Sequence, residues 1–135
     1  MDFLVTLHGH NRWLVVVAWI VALVAVLASS LQKSNPSVPR TAVAPLLVLL
    51  GLFALQFLLG SVIFIQKWTG WANVPHYRWE HTALMIGSLV LLHLPLRWRR
   101  RLPASQWHLR TTLLLLIVGI LGFLGVARLP EGWLG

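Results

Sequence analysis

Four apolar runs, roughly 13–31, 44–66, 79–96 and 111–128, leave this chain few ways to fold. Each is close to the ~20 residues of helix that cross a hydrocarbon core about 30 Å thick. Inside such a core the backbone finds no water, so a lone segment keeps its N–H and C=O groups paired only by coiling into a helix. Between the runs lie residues that end helices at an interface. Gln32, Lys33 and Asn35-Pro36 close the first run, and Pro39, Arg40 and Pro45 lead into the second. This link is short and predicts antiparallel packing of the first two helices. Gln66 and Lys67 close the second run, and Trp68 to Pro75 reads as a loop at the headgroups with Trp68 and Trp71 as anchors. Pro95 falls near the end of the third run, where a kink is tolerable. Gly119, Gly122 and Gly125 predict a face on the fourth helix that a neighbouring helix approaches closely. The expected fold is an all-α integral membrane four-helix bundle, with residues 1–135 forming a single membrane domain.

Composition agrees, with 58% hydrophobic and 10% charged residues, against roughly 25% charged in an average soluble domain. A signal peptide is the competing reading of the first run, since Arg12 precedes it and Ala28, Ser29 and Ser30 lie near its end. The run is longer than the usual 7–15 apolar residues, however, and its charge follows Phe3, Leu4 and Val5 rather than opening the chain. The chain's three acids are Asp2, Glu80 and Glu131, set against eleven Lys and Arg for a net charge of +8. Seven of these cations (Lys33, Arg40, Arg97, Arg99, Arg100, Arg101 and Arg110) fall in the first and third links, and four (Arg12, Lys67, Arg78 and Arg128) fall on the other side. Cytoplasmic loops are enriched in Lys and Arg, so both termini are expected outside the cytoplasm. The arginine cluster reads as a stop-transfer signal in contact with anionic lipid, and no nucleic-acid partner is expected. Cysteine is absent, which excludes disulfides, cysteine-held iron–sulfur clusters and covalent c-type haem.

Chemistry in so apolar a chain falls to its six histidines. His76 and His108 sit among polar or basic neighbours and read as interfacial residues, as does His10. His8 and His81 differ, because they meet at one depth from two different helices. A six-coordinate haem needs two facing nitrogens about 4 Å apart if each metal–nitrogen bond is about 2 Å, and helical bundles place cofactors between facing side chains. Arg12, four residues after His8, is available to a haem propionate or to Glu80. Glu80 reads either as the partner of Arg12 or Arg78 or as a hydrogen-bonding support for a ligand ring. Met85 is an alternative axial ligand, although packing is the commoner role of a Met. His93 lies about 18 Å deeper than His81 and roughly 120° around the helix, so the two do not share a face. It is left as a second ligand, an inward-snorkelling residue or a quinone contact, with Gln56 as its expected hydrogen-bond partner.

At these residues the chain resembles a family of small four-helix bacterial membrane proteins of the cytochrome-b-like type. The matching features are Leu7-His8-x-x-x-Arg12-Trp13, Leu55-Gln56-x-x-x-Gly60, Glu80-His81 with Met85, and His93 followed by a basic cluster. The resemblance spans nearly the whole chain. It implies b-type haem and electron transfer in the bacterial inner membrane, with His8 and His81 as the first candidate ligands and His93 as a third. Many members carry a histidine just before the Gln position, where this chain has Ala54, which weighs against an inner haem on His93. The expectation is a multi-pass cytochrome subunit with one haem b or two, passing electrons between the quinone pool and a partner protein or larger complex, rather than an autonomous enzyme. Its rival is a haem-free accessory subunit of a respiratory or photosynthetic complex.

Overall fold

The computed structural model describes residues 2–32, 37–68 and 73–133, the side chain of Asp2 excepted. Lys33, the Asn35-Pro36 turn and the loop around Trp71 lie outside the described residues. All described regular structure is helical: α1 (Asp2–Ser30), α2 (Arg40–Lys67), α3 (His76–Leu92), a short α4 (Leu94–Trp98) and α5 (Ala104–Ala127). Three helices, α1, α2 and α5, are long and apolar enough to cross a membrane.

The chain runs up and down. α1 packs mainly on α2, α3 on α5, α1 also on α5, and α2 on α3, so α1 and α3 face each other diagonally across the bundle. One end, here the head, holds the start of α1, the end of α2, the start of α3 and the end of α5. The foot holds the opposite ends and α4.

Two helices begin earlier than the apolar runs suggest. α1 starts at Asp2 rather than near residue 13, so His8, Asn11 and Arg12 are helical residues and not a leader before the helix. α5 starts at Ala104, directly after Pro103, rather than near 111. Its first turns are polar in sequence, yet Trp107 is fully buried and donates its indole N–H to the Pro95 carbonyl at 2.8 Å. His108, expected at an interface, is also buried, and its Nε2 lies 2.7 Å from Ser29 Oγ. Because Ser29 spends its own proton on the Val26 carbonyl, His108 is the donor in that contact. The third run is divided. Pro95 has no N–H to offer and crowds the carbonyl four residues back, so α3 stops at Leu92 and the chain resumes as α4.

The dry core occupies the middle and foot. Ala18, Ala22 and Val26 give α1 a narrow ridge at four-residue spacing, against which Ala42, Leu46, Leu49 and Phe53 of α2 pack. Small side chains let helix backbones approach, which matters where lipid removes the hydrophobic drive between helices. The outside is apolar as well: Val17, Val48 and Ile120 are each more than half exposed. An exposed apolar surface of this extent suits hydrocarbon rather than water. The head is less tightly filled.

Candidate functional site

A cavity of about 300 Å³ lies among α1, α2, α3 and α5 at the head. That is within the range of small-molecule sites. His8 and Arg12 reach it from α1, Gln56 from α2, and His81 and Met85 from α3. Trp19 and Phe53 form part of its apolar wall, and Leu129 and Trp133 border it beyond α5.

His81 is fixed by one contact whose direction is unambiguous. Its Nδ1 lies 2.8 Å from the Gly125 carbonyl, which only accepts, so the proton is on Nδ1 and Nε2 keeps its lone pair. This is the arrangement by which proteins orient a ligating imidazole. A Cβ at Gly125 would fall on the Met85 methyl, so the glycine makes room for that side chain beside His81.

His8 is held by a chain of amides. Asn11, only 3% exposed, donates through Nδ2 to the Leu52 carbonyl at 3.1 Å and to Gln56 Oε1 at 2.8 Å. Gln56 Nε2 then donates to the His8 carbonyl at 3.1 Å and faces His8 Nε2 at 3.2 Å. With every proton upstream assigned, His8 Nε2 must accept, and the proton of the neutral ring sits on Nδ1. That Nδ1 is buried and has no partner. A buried polar atom left unpaired costs roughly 1–3 kcal/mol, so its presence points to something absent from the protein alone. Gln56→Leu should destabilise the protein by roughly 1–3 kcal/mol, because it strands an amide N–H of Asn11 as well. Thermal unfolding in detergent checks this; an unchanged midpoint would mean the relay does not form.

The close approach expected at the glycines is made at Gly119, by Trp19 of α1, and at Gly125, by Leu84 and Met85 of α3, whereas Gly122 faces the cavity instead. Gly119 admits the Trp19 ring, whose indole N–H donates to the Leu115 carbonyl at 2.7 Å. Gly125 receives Met85. Gly122 and Gly9 line the cavity and have no atom within 4 Å of where a Cβ would stand. Together they leave a slot that side chains would otherwise close.

The last described turn straps the mouth. Arg12 donates to the carbonyls of Gly132 and Trp133 at 3.2 and 3.0 Å, and Trp133 stacks on Phe123 with ring centres 5.7 Å apart. Gly132 has a φ of +58°, a conformation that suits glycine. Arg78 pairs with Glu131 at 2.7 Å. The Glu131 carboxyl is held below its ordinary value, first by a hydrogen bond from its own backbone N–H, which burial opposes, and then by Arg78 and Lys67. Glu80 pairs with Arg128 at 3.6 Å, not with Arg12 or Arg78, and is not among the cavity's lining residues.

No family model, curated protein or solved structure matches this chain. The site therefore rests on its own geometry.

Of the sequence candidates, His8, His81 and Arg12 come together on one cavity. His93 does not join them. It caps α3 near the foot, is exposed, and its Nδ1 donates to the Leu89 carbonyl at 2.8 Å. Its expected partner Gln56 is committed to His8 and Asn11 instead. Sequence reasoning missed Asn11, Trp19 and Trp133. Asn11 sits between His10 and Arg12, and nothing in the sequence around it marks a buried partner.

Proposed function

We propose that this chain is a four-span membrane cytochrome subunit that holds one b-type haem between His8 and His81 and passes electrons between the quinone pool and a redox partner in a bacterial inner membrane. The observation that carries the reading is a glycine-floored cavity bordered by two imidazoles from diagonally opposed helices. The donor set suits the group. Among the described residues no three His, Asp or Glu side chains converge on a possible ion, so two imidazoles match a cofactor that brings its own equatorial nitrogens better than a bare metal ion. The open space at Gly9 and Gly122 points the same way.

Bound there, a haem would supply reversible one-electron chemistry. The rest of the work belongs to the chain. His81 would offer Nε2, oriented by Gly125. His8 would offer a nitrogen after giving up the hydrogen bond from Gln56, whose amide remains anchored by Asn11. Arg12 places a guanidinium at the mouth, suited to a carboxylate. Trp19, Phe53 and Phe123 exclude water, and burial of this kind tunes a redox potential.

The fourth crossing is α3 continued by α4 across the Pro95 break. In this reading the head, with both termini, faces away from the cytoplasm and the arginine-rich foot faces it. An engineered cysteine at Asn73 should react with an impermeant thiol reagent in intact cells while one at Ser105 should not; the reverse pattern would invert the orientation.

A second reading is favoured by the proton placement. With Nδ1–H of His8 and the buried, unpartnered indole N–H of Trp133 both beside the cavity, the site also suits the carbonyl oxygens of a quinone headgroup in a haem-free accessory subunit. The reduced-minus-oxidised spectrum of the purified protein separates the two. A low-spin b-type spectrum at one haem per chain supports the first reading, and a colourless protein that retains quinone supports the second.

A further inference from the structure

The foot carries a charge that the protein itself does not answer. All three acids of the chain belong to the head by position, while Arg40, Arg97, Arg99, Arg100, Arg101 and Arg110 lie at the foot. Both ion pairs among the described residues are at the head. Unpaired guanidiniums at the edge of an apolar surface attract anions, and two adjacent ones offer several N–H donors in the planar arrangement that phosphate oxygens match.

Two of these arginines are not merely on the surface. Arg99 and Arg100, in the turn that ends α4, border a groove of about 350 Å³ whose other walls are Val43 and Leu47 of α2 and Leu96 of α4. The apolar wall continues along α2 toward the middle of the bundle. Leu47 is 51% exposed, and Gly51, one turn further on, has open space where a side chain would stand. Leu55 and Leu58 extend the same exposed strip. A basic cup at one end of an outward-facing apolar channel has the polarity of a phospholipid: headgroup phosphate in the cup, acyl chain along the helix.

We propose that the groove between α2 and α4 is a binding site for one anionic phospholipid, its phosphate held by Arg99 and Arg100 and an acyl chain laid over Leu47 and Gly51. The proposal rests on the membrane reading and is independent of haem. Arg97 and Arg101 do not line the groove and provide a charge-matched control.

The test uses the full chain in neutral detergent, titrated with phosphatidylglycerol and, separately, with phosphatidylcholine of the same acyl chains, with bound lipid counted by native mass spectrometry. One tight phosphatidylglycerol should bind, at least tenfold more tightly than phosphatidylcholine. R99Q/R100Q should weaken it at least tenfold, while R97Q/R101Q, with the same net charge, should change it less than threefold. Gly51→Phe, which leaves the arginines intact, should also weaken binding by obstructing the acyl channel. Equal loss in the two double variants would reduce the site to a diffuse basic surface and overturn the proposal. Full competition by inorganic phosphate at millimolar concentration, with Gly51→Phe silent, would make the ligand a free anion and also overturn it. Extraction of the protein from membranes by alkaline carbonate would instead defeat the membrane reading itself, a result the lipid titration cannot imitate.

Discussion

Gly119→Leu and Gly122→Leu, three residues apart on α5, should fail in different ways. At Gly119 any side chain falls on the Trp19 ring, which is packed against α5 and hydrogen-bonded to the Leu115 carbonyl. Expelling that ring combines overpacking with a lost hydrogen bond, for a cost of roughly 2–4 kcal/mol. At Gly122 the added side chain meets open space in the cavity. That variant should keep its helical content and thermal midpoint, and gain some stability if the leucine fills the slot well, while losing most of its bound cofactor. Thermal unfolding in detergent, with cofactor content measured in parallel, distinguishes the two. Comparable loss of stability in both would give Gly122 a packing role like that of Gly119, and full cofactor retention in Gly122→Leu would place the cofactor elsewhere.

The all-α class and the order and approximate place of the long helices were legible because hydrocarbon length and the need for internal backbone pairing act on long stretches of sequence, whereas the break in the third run was not. Helix ends were not. α1 and α5 begin well before their apolar runs because Asn11, Trp107 and His108 satisfy their polar atoms against neighbouring helices, and a pairing of that kind is invisible along one strand of sequence. The same limit explains Gln56. Its isolation in an apolar run marked it as important, but only the packing of α2 against α1 shows that its partners are His8 and Asn11 rather than His93. Charge partners were misread for a related reason. Glu80 and Arg78 are neighbours in sequence, yet each pairs across to the segment after α5. His8 with His81 was readable because equal depth follows from position along two helices, whereas Trp133 needed the turn at Gly132 to reach the cavity.

The central claim is that His8 and His81 together hold one haem. His81 makes a single hydrogen bond to a carbonyl, and the His8 ring accepts one from Gln56, so retained structure has to be checked beside haem content. If they do hold one haem, removing either would take away one of only two protein bonds to iron, a larger effect than removing any polar neighbour. The decisive measurement is the haem-to-protein ratio and low-spin spectrum of His8→Ala, His81→Ala and His93→Ala, purified alongside the unaltered chain and checked for retained helical circular dichroism. The account predicts one haem per chain in the unaltered protein and in His93→Ala. It predicts loss of haem or of the low-spin spectrum in the other two, with added imidazole restoring low-spin character where haem remains. A fall to half the haem content in His93→Ala would reveal a second site at the foot. Full haem and an unchanged spectrum in His81→Ala would contradict the account outright.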